Sequence, residues 1–191
     1  MTTSLQRPVR LLFLCGSLRG ASTNMALLRT ALGLLPANTV ATLFTGMGDL
    51  PHFNPDDDHN PLPAAVVELR DALRAADALL ICTPEYAGGL PGSFKNLLDW
   101  TVGGTEIERP VGWVNVSTAP TGARSAHESL RAVLGYTGAH IVDAACRNTP
   151  VRRDMLDTSG EITDPSVRAE VADTLVELVR AADAAADDAP R

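Results

Sequence analysis

The chain contains a single lysine, Lys95; its other basic residues are arginines, and 16 bases against 23 acids leave a formal net charge of -7. A nucleic-acid partner needs a basic stripe to displace phosphate counterions, so this balance argues against one. Cysteine is scarce as well. Cys15, Cys82 and Cys146 form an odd set without C-x-x-C spacing, which excludes a disulfide framework and a zinc knuckle and fits a reducing cytoplasm. Each follows apolar or small residues and reads as a buried thiol. No apolar run approaches the roughly 20 residues of a membrane span. The Leu11 to Cys15 run behind Arg7 and Arg10 is too short for a signal-peptide core, so we expect a soluble, cytoplasmic chain without a membrane partner. No Ser-His-Asp order and no paired-carboxylate spacing stands out.

What is present is a regular alternation. With 191 residues, 45% of them hydrophobic, the chain suits one domain, which we place at 1–180, followed by a frayed Ala- and Asp-rich end over 181–191. Val9 to Cys15, Thr39 to Phe44, Ala78 to Thr83, Val111 to Ser117 and His140 to Ala144 are short apolar runs that read as strands. Between them apolar residues recur at three- and four-residue spacing: Met25, Leu28, Leu32 and Leu35, then Val66, Leu69 and Leu73, then Phe94, Leu97 and Leu98. Further helices are expected from about Ser125 to Tyr136 and from about Pro165, where Val167, Val171, Leu175 and Leu178 share a face. Strands alternating with helices imply an α/β three-layer sandwich, a five-stranded parallel sheet covered on both faces by right-handed crossovers.

In such a sheet, ligands bind beyond the carboxyl ends of the strands. The loop after the first strand, Gly16-Ser17-Leu18-Arg19-Gly20-Ala21-Ser22-Thr23-Asn24, runs straight into a helix. Its glycines let the backbone turn, its amides converge at a positive helix end, and Ser17, Ser22, Thr23, Asn24 and Arg19 add donors, a set suited to phosphate. It has neither the G-x-G-x-x-G order nor a P-loop ending, and taken alone it reads equally well as a helix cap. The loop after the third strand, Thr83 to Trp100, has Pro84 and Pro91 to restrict the backbone, Gly88, Gly89 and Gly92 to allow close approach, and Tyr86 as an aromatic edge. That combination suits a flat ring lying on main chain. The His52 to His59 run, with Asp56, Asp57 and Asp58, matches no ligand spacing, and we assign no metal.

Taken together, these segments resemble the NADPH-dependent FMN reductase family of flavodoxin-like proteins. The family's G-S-x-R-x-x-S-x-N loop is matched by Gly16, Ser17, Arg19, Ser22 and Asn24, and its P-E-Y-N-x-x-x-P-G-x-x-K-N-x-x-D-W segment from Pro84 to Trp100. Similarity extends through Asp49-Leu50-Pro51, Asn54-Pro55-Asp56, Asp157, Gly160 and Thr163-Asp164. The resemblance implies a sheet of flavodoxin-like order 2-1-3-4-5 and an FMN cofactor. Ser17, Arg19, Ser22, Thr23 and Asn24 would hold its phosphate and ribityl chain. Pro84, Glu85, Tyr86, Ala87 and Gly88 would lie along its ring, with Ser117 and Gly122 of the third loop opposite.

By the same resemblance the activity is a hydride transfer from NADPH or NADH through FMN to a small-molecule acceptor such as a quinone, chromate, an azo compound or free flavin. The cofactor carries that chemistry, so no catalytic acid or base is assigned. Backbone N–H groups around Glu85 and Tyr86 are expected to stabilise charge growing on the reduced ring, and Glu85 to orient backbone or a neighbouring subunit. A homodimer or homotetramer is implied. The alternative is a non-catalytic FMN-binding electron-transfer or sensor protein. Two positions depart from the family: its Asn is Ala87 here, and where it tends to have paired glycines this chain has Gly122-Ala123, from which a less close approach of the third loop is expected. Lys95 falls on the motif lysine, which hints that an ammonium is wanted there.

Overall fold

The computed structural model describes residues 7–104 and 106–187. Its strands are β1 (Val9–Cys15), β2 (Thr39–Phe44), β3 (Ala78–Cys82), β4 (Pro110–Asn115) and β5 (His140–Asn148), and its helices α1 (Thr23–Leu32), α2 (Ala64–Ala75), α3 (Gly92–Asp99), α4 (Arg124–Tyr136) and α5 (Pro165–Asp187). All strand pairs are parallel, in the order β2-β1-β3-β4-β5. This is the α/β three-layer sandwich that the alternating pattern implies, in the flavodoxin-like order that the resemblance implies.

Period-two alternation in buried strands divides the core into two. Leu11, Phe13 and Cys15 of β1 and Leu80 and Cys82 of β3 pack with α1 and with Val167, Val171, Leu175 and Leu178 of α5. Leu12, Leu14, Leu79 and Ile81 point the other way, into Val66, Leu69 and Leu73 of α2, Phe94, Leu97 and Leu98 of α3, and Leu130 and Leu134 of α4. Each large apolar side chain fully buried in this way contributes roughly 1.5–3 kcal/mol. No described helix is long and apolar enough to cross a membrane.

Two elements run longer than their sequence signals. β5 continues past Ala144 to Asn148, with its register to β4 broken between Val111 and Trp113. At this break a Cβ on Gly112 would meet Ala145 Cβ at 2.6 Å, so glycine lets the irregular strand close in. The end expected to fray from Ala181 instead continues α5 to Asp187, because Ala182 still packs against the core; residues 188–191 lie outside the described residues. At its other end α5 is held by Asp164, whose Oδ1 accepts from Ser166 N at 3.0 Å and Val167 N at 3.1 Å.

Candidate functional site

Three loops meet at the carboxyl ends of β1, β3 and β4, and glycine sets the spacing of the first two. Gly16 N donates to Cys82 O at 2.9 Å, and a Cβ on Gly16 would sit 2.0 Å from Thr83 Oγ1 and 2.9 Å from Thr83 Cα. Only glycine lets the first loop lie this close to the third strand's end. Ser17 is buried and its Oγ accepts from Arg19 N at 3.2 Å; Ser22 caps α1, its Oγ accepting from Met25 N at 3.2 Å. Buried Asn24 accepts from the Cys82 thiol at 3.3 Å. The N–H groups of Thr23 and Asn24 have no acceptor among the described residues, and the loop contains no carboxylate. Exposed Arg19 has no side-chain partner among the described residues.

The loop after β3 turns sharply. Tyr86 N donates to Gly89 O at 3.0 Å and Gly89 N to Tyr86 O at 3.1 Å, with Ala87 at φ 50° and Gly88 at φ 74° between them. These are the two left-handed central residues of a type I′ turn. Tyr86 is left half exposed at 51%. Of the amides around Glu85 and Tyr86, the Tyr86 N–H is consumed by the hairpin, while the Glu85 N–H has no acceptor among the described residues. Glu85 Oε2 accepts from Ala126 N at 3.0 Å, tying the loop to the first turn of α4, where a carboxylate is favoured by the helix dipole.

The third loop hangs from Asn115. Its Nδ2 donates to Gly122 O at 2.6 Å and to Asn148 Oδ1 at 3.0 Å, while its Oδ1 accepts from Ser117 N at 3.0 Å. Gly122 has φ 59° and Ala123, buried at 2%, has φ 50°. The backbone expected to lose reach with one glycine fewer therefore keeps a glycine-like conformation. Behind it, His127 Nδ1 faces Ala123 O at 2.9 Å, and burial holds the ring's pKa below the usual histidine value.

Thr23, Asn24, Pro84, Glu85 and Ser117 line one cleft of about 610 Å³, within the range of roughly 300–1,000 Å³ for small-molecule sites. Ser17, Arg19 and Ser22 shape or flank the loop beside it, Tyr86, Ala87 and Gly88 form the hairpin, and Gly122 opens onto a neighbouring groove with Ser117. The sequence reading missed Asn115, Asn148, Arg152 and Arg153. Asn115 had a signal, a polar residue closing an apolar strand; the two arginines, which line the cleft, had only their adjacency in an acidic chain. Burial pushes the Cys15 and Cys82 thiols up, and that of Cys146 up to about 11, so all three stay protonated near neutrality. No described group of three His, Cys, Asp or Glu side chains could hold a metal ion.

The motif residues of α3 are structural. Asn96 Nδ2 and Trp100 Nε1 both donate to Pro51 O at 2.9 Å, and Phe53 N donates to Asn96 Oδ1 at 2.8 Å. Phe53 packs edge-on against Trp100, 5.0 Å between centroids. Lys95 pairs with Asp99 at 2.5 Å, one turn on.

Residues 9–150 match the NADPH-dependent FMN reductase family. The chain belongs to that family. An NAD(P)H-dependent FMN reductase from Pseudomonas aeruginosa is 31% identical over 163 residues, covering 84% of this chain and 88% of the relative. A quinone reductase from Pseudomonas putida is 31% identical over 160 residues, covering 78% and 82%. Among solved structures, FerB, a flavoenzyme NAD(P)H:(acceptor) oxidoreductase from Paracoccus denitrificans, superposes with a TM-score of 0.81 at 26% identity, covering 92% of this chain and 98% of that one. The protein is thus a flavodoxin-like oxidoreductase with FMN as cofactor and NAD(P)H as reductant. The residues present fit that cofactor: free amides at a helix N-terminus, hydroxyls and a cation, without a carboxylate, are a donor set suited to a phosphate, and the adjoining cleft has room for a ring.

Proposed function

We propose that the enzyme takes hydride from NADPH or NADH and delivers the reducing equivalents to a quinone-like acceptor, both reactants using the same open face of the cleft. The single observation that carries this reading is the convergence of the three loops on one cleft whose described lining holds no His, Cys or Lys and a single carboxylate, Glu85. Glu85 is committed to Ala126 N and the thiols stay protonated, so the side chains here bind and orient. FMN, when bound, supplies the two-electron chemistry.

In this reading Thr23 and Asn24 N–H groups, Ser17, Ser22 and Arg19 hold the phosphate end. Pro84, Glu85, Tyr86, Ala87 and Gly88 lie along the ring on one side, and Ser117 and Gly122 on the other. Glu85 fixes the distance between the second loop and α4, and Asn115 fixes the third loop, so the slot is preorganised. Self-association into a homodimer or homotetramer is proposed from the family resemblance. Two-substrate kinetics test the shared face: parallel double-reciprocal lines for NADPH and a quinone are expected, and intersecting lines would refute it.

A further inference from the structure

A second groove of about 720 Å³ opens beside the cleft, between α4 and the β4–β5 surface, and the two share Ser117, Thr118, Ala119 and Arg152. Its charge is unlike that of the chain. Arg124, Arg131 and Arg152 line it against one carboxylate, Glu128. Arg131 lies over the Trp113 ring, 5.0 Å from its centroid. Arg131 pairs with Asp143 at 2.8 Å and Arg152 with Asp154 at 3.0 Å, but all four side chains are at least half exposed. Such pairs are worth little and exchange readily for a better anion. Arg124 has no side-chain partner among the described residues. In a protein of net charge -7, a groove lined by three guanidiniums concentrates positive potential where a ligand passes.

Its wall also contains an unsatisfied acceptor. With His127 Nδ1 turned to the Ala123 carbonyl, that nitrogen carries the proton and Nε2 is left as an acceptor, buried and without a partner. A ligand matching both features carries a dianionic group for the arginines and an N–H donor for the imidazole. A small quinone has neither. A phosphorylated purine nucleoside has both, and the groove is continuous with the cleft where the nicotinamide would react.

We propose that this groove takes the adenosine 2′-phosphate end of NADPH, with Arg131 and Arg152 selecting the phosphate, so that the enzyme discriminates NADPH from NADH. The proposal rests on the reading that flavin occupies the adjoining cleft. Calorimetry on the FMN-loaded protein with adenosine 2′,5′-bisphosphate and adenosine 5′-monophosphate tests it without turnover. The bisphosphate is expected to bind about tenfold or more tightly, the order expected of one charge-assisted contact. Arg131 lies off the flavin cleft, and Arg131→Gln is expected to shrink that preference at unchanged FMN content; Arg152 also lines the cleft, and Arg152→Gln is expected to shrink it in protein reconstituted to full FMN occupancy. Stopped-flow reduction should show the ratio of NADH to NADPH dissociation constants falling in the same two variants. Equal binding of the two nucleotides, a preference that survives both substitutions, or a sulfonated quinone displacing the bisphosphate without affecting NADPH would overturn it. Failure of both nicotinamides to reduce the protein would instead refute the proposed function, while the calorimetry still reads the groove.

Discussion

Ala87 holds a left-handed backbone, φ 50°, which a β-carbon disfavours by roughly 1–2 kcal/mol. Asparagine tolerates that region better, so Ala87→Asn should raise apoprotein stability by about 0.5–1 kcal/mol in a urea titration; no gain would mean that the turn is unstrained. Arg19, exposed and unpaired among the described residues, should cost roughly 1.5–3 kcal/mol of FMN affinity when changed to Ala, and an unchanged titration would remove it from the phosphate cradle. Lys95 reads differently in the fold than in the sequence. Its solitude hinted at a required ammonium, yet it makes a partly exposed i,i+4 pair with Asp99, worth about 0.3–0.5 kcal/mol. Lys95→Arg should therefore leave stability within about 0.5 kcal/mol and flavin content intact. Residue types pointed to the loops that line the candidate cleft, but not to what each side chain bonds to: Ser17 and Ser22 brace their own loop, and only their adjacency marked Arg152 and Arg153, because the segment after β5 reaches the cleft only through the fold.

At the scale of elements, β1 ends where its buried run Leu11 to Cys15 ends, and β2, an edge strand with Val40 and Thr42 exposed, ends with its apolar pair Leu43 and Phe44. β5 does not: its final Arg147-Asn148 is polar, and it stays in the sheet, where Asn148 pairs with Asn115 beyond the irregular register. Loop spacing is set by small contacts between elements. Gly16→Ala should push the first loop off Thr83, costing about 1–3 kcal/mol by overpacking and lowering FMN retention; a variant that binds FMN normally would show that the loops tolerate separation. His127, under the start of α4, adds a pH dependence. Because burial lowers its folded pKa, the unfolded chain binds the proton more tightly. Its stabilisation is complete above about pH 6.5 and is lost as the pH falls from there through the lower folded value. Denaturant midpoints between about pH 7.5 and 5 should fall with pH, and His127→Gln should flatten that slope; equal slopes would place the acid sensitivity elsewhere.

Over the whole molecule, a net charge of -7 coexists with a cleft flanked by a helix N-terminus and lined by Arg152 and Arg153, because binding answers to local potential and not to the sum. The order of the sheet was legible from the alternation of strands and helices together with the family resemblance; the association state was not, since self-complementary surfaces leave no periodic trace. A dimer or tetramer is expected by light scattering, and a monomer at all accessible concentrations would contradict it. The central claim, that the three loops make an NAD(P)H-fed reductase site, is tested most directly by anaerobic titration of the FMN-loaded protein. Stoichiometric NADPH or NADH should bleach the flavin absorbance, and a quinone added afterwards should restore it. A protein that takes up no FMN, or that holds it and stays yellow with both nicotinamides, would contradict the claim.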